Sequence, residues 1–178
     1  MGKYKGQPLN RIEIPGHNKN DSVIYENDQS KVITEERRND KMEEGSTHYF
    51  HTDESKKEIK EDLLCKKAKE LAKSFIDTND KTLNSTQLRK FYMDVKQLER
   101  DFKIKGKESW GSIRPFVKML KSKVAYAYPK NFKDRKIPKE FKDFMDTCVD
   151  NIKDPEDFEG FLKHFEAVVG YFYGEGGK

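Results

Sequence analysis

Apolar side chains are sparse over the first 54 residues and fall at regular spacing in almost everything that follows. Gly, Asn, Asp, Glu and Ser dominate residues 1–54, with Pro8 and Pro15 near the start. A segment of that kind buries too little apolar area to offset the entropy of ordering it. The pattern predicts a low-order N-terminal tail over 1–54. Its short apolar spots, Val23-Ile24-Tyr25, Val32-Ile33 and Tyr49-Phe50, are candidate docking points.

From residue 55 the spacing is helical. Ile59, Leu63, Leu64, Ala68, Leu71, Ala72 and Phe75 recur every three or four positions and predict a first helix over 55–77, broken by Asn79-Asp80-Lys81. A second helix opens on Asn84 as N-cap with Gln87 three residues on, the spacing of a capping box. Leu83 and Leu88 are placed for a hydrophobic staple. Its stripe is Leu88, Phe91, Tyr92, Val95, Leu98 and Phe102, and Lys105-Gly106-Lys107 ends it. A third helix starts near Ser112, since Pro115 suits only a first turn. Ile113, Phe116, Val117, Leu120, Val124 and Ala127 share its face, and Pro129 stops it. Pro138 opens a fourth, with Phe141, Phe144, Met145, Cys148 and Ile152. Asp154 and Pro155 open a fifth, running to Gly174 through Phe158, Phe161, Leu162, Phe165, Val168, Val169 and Phe172. The predicted fold is all-α, a compact bundle of about five helices over 55–178 behind the tail.

Composition narrows the class. Hydrophobic residues are 34% of the 178, enough for a single modest core. No apolar run approaches a membrane span, and no apolar stretch follows Lys3 and Lys5 to make a signal peptide. Cys65 and Cys148 form neither a disulfide framework nor a zinc ribbon, and both fall on apolar helix faces where buried thiols are expected. The chain reads as a reduced, soluble, cytoplasmic protein with no membrane partner.

Charge changes the picture more. The formal net charge of +4 averages a segment 84–139 of +11 and a segment 140–178 of −6. On a helical wheel Arg89, Lys96, Arg100 and Lys103 fall within about 60° beside the apolar stripe of the second helix. Arg114, Lys118 and Lys121 cluster likewise on the third. Asp94 and Asp101 sit on the other side of the second helix. Two one-sided basic ridges, if adjacent, make a groove for a polyanion, extended by the loop 129–137 with Lys130, Lys133, Arg135 and Lys136. Tyr126, Tyr128 and Phe132 interleave rings with these cations, a combination that suits single-stranded nucleic acid, although each ring taken alone is better explained by core or boundary packing.

Catalytic chemistry finds little support. His48 and His51 lack further ligands, His164 lies beside an apolar face, and no phosphate-binding glycine loop is present. Asp143, Asp146 and Asp150 share a helix face and, with a histidine, would suit a metal-dependent hydrolase. A solvated acidic stripe is the commoner origin of such spacing. No metal, cofactor or catalytic residue is assigned.

Three phrases carry a resemblance. Asn84-Ser-Thr-Gln-Leu-Arg-Lys-Phe-Tyr92 with Val95, Leu98 and Arg100 comes first; Leu120-Lys-Ser-Lys-Val-Ala-Tyr-Ala127 follows; Phe158, Phe161, Phe165-Glu-Ala-Val-Val-Gly-Tyr171 closes the chain. In that order they resemble the small helical subunit of type III-A CRISPR effector complexes, the Csm small-subunit family, over about 84–173. The resemblance implies a non-catalytic, RNA-binding structural subunit of an antiviral ribonucleoprotein. Its implied partners are crRNA, target RNA, the repeated backbone subunit, the large subunit and further copies of itself in a stack. It places Arg89 and Lys90 on the family's basic pair, and Lys123 and Tyr126 on its Lys-x-x-Ala-Tyr phrase. Lys130 stands near a position where the family often has arginine, without arginine's bidentate fork. The expected RNA-binding set is therefore Arg89, Lys90, Lys96, Arg100, Lys103, Arg114, Lys118, Lys121, Lys123, Tyr126 and Lys130. The rival reading is a protein–protein adaptor whose basic face meets an acidic partner without nucleic acid.

Overall fold

The computed structural model describes residues 48–78 and 81–178. The chain divides into two units, Met1–Met42 and Glu43–Lys178, and the described residues all belong to the second. The tail expected over 1–54 lies outside the described residues as far as residue 47, and so does the expected break at Asn79-Asp80.

Helices account for the regular structure: α1 (Glu61–Leu64), α2 (Lys66–Ser74), α3 (Ser85–Lys105), α4 (Trp110–Ala127), α5 (Lys139–Asn151) and α6 (Pro155–Gly174). Single 3-10 turns at Lys107–Ser109 and Phe132–Asp134 precede α4 and α5. The all-α class is the one the patterning predicts.

The start signals act as read. Gln87 N donates to Asn84 Oδ1 at 2.9 Å, and Asn84 N donates back to Gln87 Oε1 at 3.3 Å, while Leu83 and Leu88 are buried together beneath them. Asp154 caps α6 by accepting from Asp157 N at 2.9 Å, with Pro155 in the first turn. Gly106 ends α3 at φ 75°, a left-handed value that other residues avoid.

Three local expectations change. The single helix expected over 55–77 starts only at Glu61, ends at Ser74 and is two pieces, because the backbone leaves helical geometry at Cys65 (φ −117°, ψ −89°). That break turns Cys65 out to solvent, whereas a continuous wheel puts it inside. Helix α4 starts at Trp110, so Pro115 lies in its second turn. Pro115 and Gly111, whose carbonyl loses its i+4 donor, are both exposed, so the gap opens to solvent. Phe116, expected in the core, is 56% exposed.

The described residues just before position 55 pack against the bundle. Phe50 is fully buried and His51 nearly so. Lys60 N bonds Phe50 O and Thr52 N bonds Glu58 O, both at 3.0 Å, which folds residues 50–60 into a short arm lying on α6. Gly160 makes room for it, since a Cβ there would stand 2.6 Å from Phe50 Cβ. Too few apolar residues surround Phe50 for periodicity to reveal a partner on α6.

The core is aromatic. Helix α6 runs through it with Phe158, Phe161, Phe165 and Phe172 buried, packed chiefly on α2, while α4 packs on α5. Phe144 stacks on Phe165 (6.2 Å, 9°), and Phe75 meets Phe141 edge-on at 5.3 Å. Each such ring stabilises the fold by roughly 1.5–3 kcal/mol on burial. His164 belongs to this core: it is fully buried, and its Nδ1 bonds the Leu63 carbonyl at 2.6 Å, tying α6 to α1.

Candidate nucleic-acid interface

Helices α3 and α4 present their basic side chains on opposite flanks. Asp94 of α3 and Lys123 of α4 pair at 2.6 Å, which marks the seam between the two helices. Lys123 lies about 180° around α4 from Arg114. The α4 ridge therefore points away from the seam, toward α5. The α3 ridge points the other way, and Lys96 reaches Glu166 of α6 at 3.5 Å. The groove that adjacent ridges would form is not built.

Much of the expected cationic set is neutralised within the chain. Glu99 sits between Lys96 (2.8 Å) and Lys103 (2.5 Å), one turn from each. Burial raises the Glu99 carboxyl, but hydrogen bonds from Lys103 and Lys96 outweigh it and hold the group below its ordinary value. The Glu99 hydrogen bond in turn raises Lys96. Lys121 pairs with Asp150 of α5 at 2.6 Å. Lys118 donates to the Val149 carbonyl near the C-terminal end of α5, where the helix dipole favours a cation. Burial pulls the Lys118 ammonium below its usual range, with Arg114 and Lys121 adding to the effect.

Arg89, Lys90, Arg114 and Lys130 differ. They are exposed, and no ion pair among the described residues engages them. Arg100 is exposed too and donates to Gln97 Oε1 at 2.5 Å, which leaves its charge uncompensated. Arg89 borders a shallow cleft with Tyr92, Met93, Val169 and Tyr173. The sequence reading missed Glu99, although its place between Lys96 and Lys103 is a visible i+3, i+4 signal. It also missed the exposure of Met93, Ile104 and Met119.

The loop between α4 and α5 carries exposed lysines and rings. Tyr126 is 75% exposed with the Lys136 ammonium 4.5 Å from its ring, and Phe132 is 53% exposed. The Arg135 guanidinium lies 4.1 Å from the Tyr128 ring and 5.3 Å from that of Phe132. Lys133 and Lys136 are exposed on the same loop.

The acidic residues considered for metal chemistry do not converge. Lys139 pairs with Asp143, Lys142 with Asp146 at 2.8 Å, and Lys121 with Asp150. No group of three or more His, Cys, Asp or Glu side chains among the described residues is arranged to hold a metal ion. His51 faces Asp157 at 3.6 Å under the arm. Cys148 is buried beside Tyr49, and burial pushes its thiol well above the ordinary range, which suits packing rather than nucleophilic attack. No described helix is long and apolar enough to cross a membrane.

A family model described as Csm2 Type III-A matches residues 58–178. No curated protein and no solved structure matches the chain.

Proposed function

The chain belongs to the type III-A Csm2 family, structural small subunits of Csm effector complexes, and we propose that within such a complex it holds RNA by the phosphate backbone without catalysing a reaction. The observation that carries this reading is the set of exposed, uncompensated cations at Arg89, Lys90 and Arg100 on α3, and at Arg114 and Lys130 on α4 and its loop. Ammonium and guanidinium groups of this kind neutralise phosphates whatever the base sequence. Sequence is then read by pairing of guide and target, and the subunit supports the duplex or the target strand beside it. Lys96, Lys103, Lys118, Lys121 and Lys123 contribute less, because their charge is already met by Glu99, Asp150, Asp94 or a helix end. The backbone subunit, the large subunit and further copies of this chain are the proposed protein neighbours.

Binding of the full chain to single-stranded RNA is expected to weaken steeply with salt. An Arg89→Glu/Arg100→Glu variant is expected to lose most of that binding and to show a shallower salt slope, by about 0.7 per lost phosphate contact. Wild-type affinity in that variant would overturn the reading.

One observation favours the adaptor reading as a second function of the same chain. Phe116 and Met119 stand more than half exposed on the outer face of α4. A pull-down of complex subunits that survives nuclease treatment and fails with Phe116→Ser/Met119→Ser would assign that face to protein.

A further inference from the structure

The loop joining α4 and α5 is held in shape by bonds that leave its rings outside. Lys136 N donates to Ala127 O at 2.8 Å and closes the neck of the loop. Asn131 accepts from Lys133 N at 3.3 Å and donates to Asp134 Oδ2 at 2.7 Å, which fixes the 3-10 turn that starts at Phe132. Ile137 and Pro138 are buried and anchor the loop to the core. The bonds that shape the loop come from its backbone and Asn131, and the Phe132 residue is left with 53% of its surface in water. Lys136 stands over the Tyr126 ring and Arg135 near that of Phe132, Lys130 and Lys133 share the same loop, and Asp134 is the sole carboxylate between residues 126 and 139.

We propose that this loop is a stacking site for an unpaired RNA base, with Phe132 and Tyr126 as the ring platforms and the flanking cations on the adjacent phosphates. The proposal rests on the phosphate-binding reading above and adds a contact of a different kind to it. A base in a duplex offers its faces to its neighbours, so an exposed ring on a loop can stack only on a base that is single-stranded or splayed out. Preorganisation of the loop lowers the ordering cost of the contact. Arg135, packed against Tyr128 and near Phe132, donates its Nε to Pro129 O at 3.3 Å and braces the loop. An acidic protein segment would satisfy the cations but would leave the rings without a flat partner, which favours a nucleobase.

The test compares a short oligoadenylate RNA with an abasic RNA of the same phosphate count, both bound to the full chain. Wild type is expected to bind the oligoadenylate about fivefold or more tightly, near the lower end of what one stacked base contributes. Phe132→Ala and Phe132→Leu should erase most of that preference while leaving the abasic affinity unchanged, and Phe132→Trp should retain it. Leucine keeps the apolar bulk, so a loss shared by both variants reports the ring and not a folding defect. Equal binding of the two RNAs by wild type would overturn the proposal, as would a preference that survives both Phe132→Ala and Tyr126→Ala. Loss of co-purification with complex subunits in Phe132→Ala, with both RNAs bound as by wild type, would overturn it in favour of a protein contact. Arg89→Glu/Arg100→Glu separates the two readings. If it weakens both RNAs alike while no base preference exists, stacking alone fails; if it weakens neither, the phosphate reading fails.

Discussion

The Lys56 ammonium lies 2.9 Å from the Asp157 carboxylate, and both side chains are largely withdrawn from solvent. Lys56 also pairs with Asp154, the N-cap of α6, so one cation spans two carboxylates in the first turn of that helix. Asp157 additionally accepts from Lys153 N at 3.1 Å. This cluster pins the arm that carries Phe50.

Replacing Lys56 with methionine keeps most of the packing and removes the charge. Asp157 is then left buried without its ammonium, and such an orphaned carboxylate costs about 2–3 kcal/mol. Urea unfolding of Lys56→Met should show a loss of that size. Limited proteolysis should show faster cleavage within residues 50–60.

His164 and His51 give the fold a dependence on mild acid. Burial lowers both imidazole pKa values below the ordinary 6.5, so the native state favours the neutral rings and the unfolded chain takes up protons first. The resulting stability is complete above pH 6.5 and is lost as the pH falls toward the lowered native values. Asp157 and Lys56 face His51 with opposing effects, whereas His164 is met by the Leu63 carbonyl and, at longer range, Lys67. Urea midpoints measured from pH 7.5 down to pH 5 should fall for the wild type. His164→Gln should start lower and fall less.

Glu99 is expected to act as a brake on RNA binding. Glu99→Gln frees Lys103 and leaves Lys96 only its longer 3.5 Å pair with Glu166, while preserving the shape of α3. RNA affinity at low salt should rise several-fold, with a steeper salt slope by roughly 0.7–1.4 for one or two added phosphate contacts. Unchanged affinity and slope would show that this flank of α3 does not face RNA.

Local chemistry made much of the fold legible in the sequence. The capping box at Asn84 and Gln87, the Asp154-Pro155 start and the Phe-rich stripe of α6 are signals between residues a few positions apart, and each stands where the spacing puts it. What stayed hidden depends on partners distant along the chain. Phe50 is buried because Gly160, 110 positions later, clears a place for it. The ridges on α3 and α4 are readable from a wheel, but their facing is set by how the helices roll against α5 and α6. The sequence reading inferred unbalanced charge from Arg89, Lys96, Arg100 and Lys103. It passed over Glu99 on the same helix and read Asp150 only as part of an acidic stripe, and with Asp94 those carboxylates take up Lys96, Lys103, Lys121 and Lys123.

The Asp94–Lys123 seam has a mechanical consequence. Cationic edges that point apart cannot both grip a straight strand, so on the proposed reading a single subunit would serve as a spacer and not as a clamp. A polyanion that touches the α3 edge of one copy meets the α4 edge only by wrapping around the helix pair or by passing to another copy. On the phosphate-binding proposal, avidity for long RNA would depend on how many subunits lie side by side and at what pitch, and an isolated subunit would bind weakly however many lysines it carries.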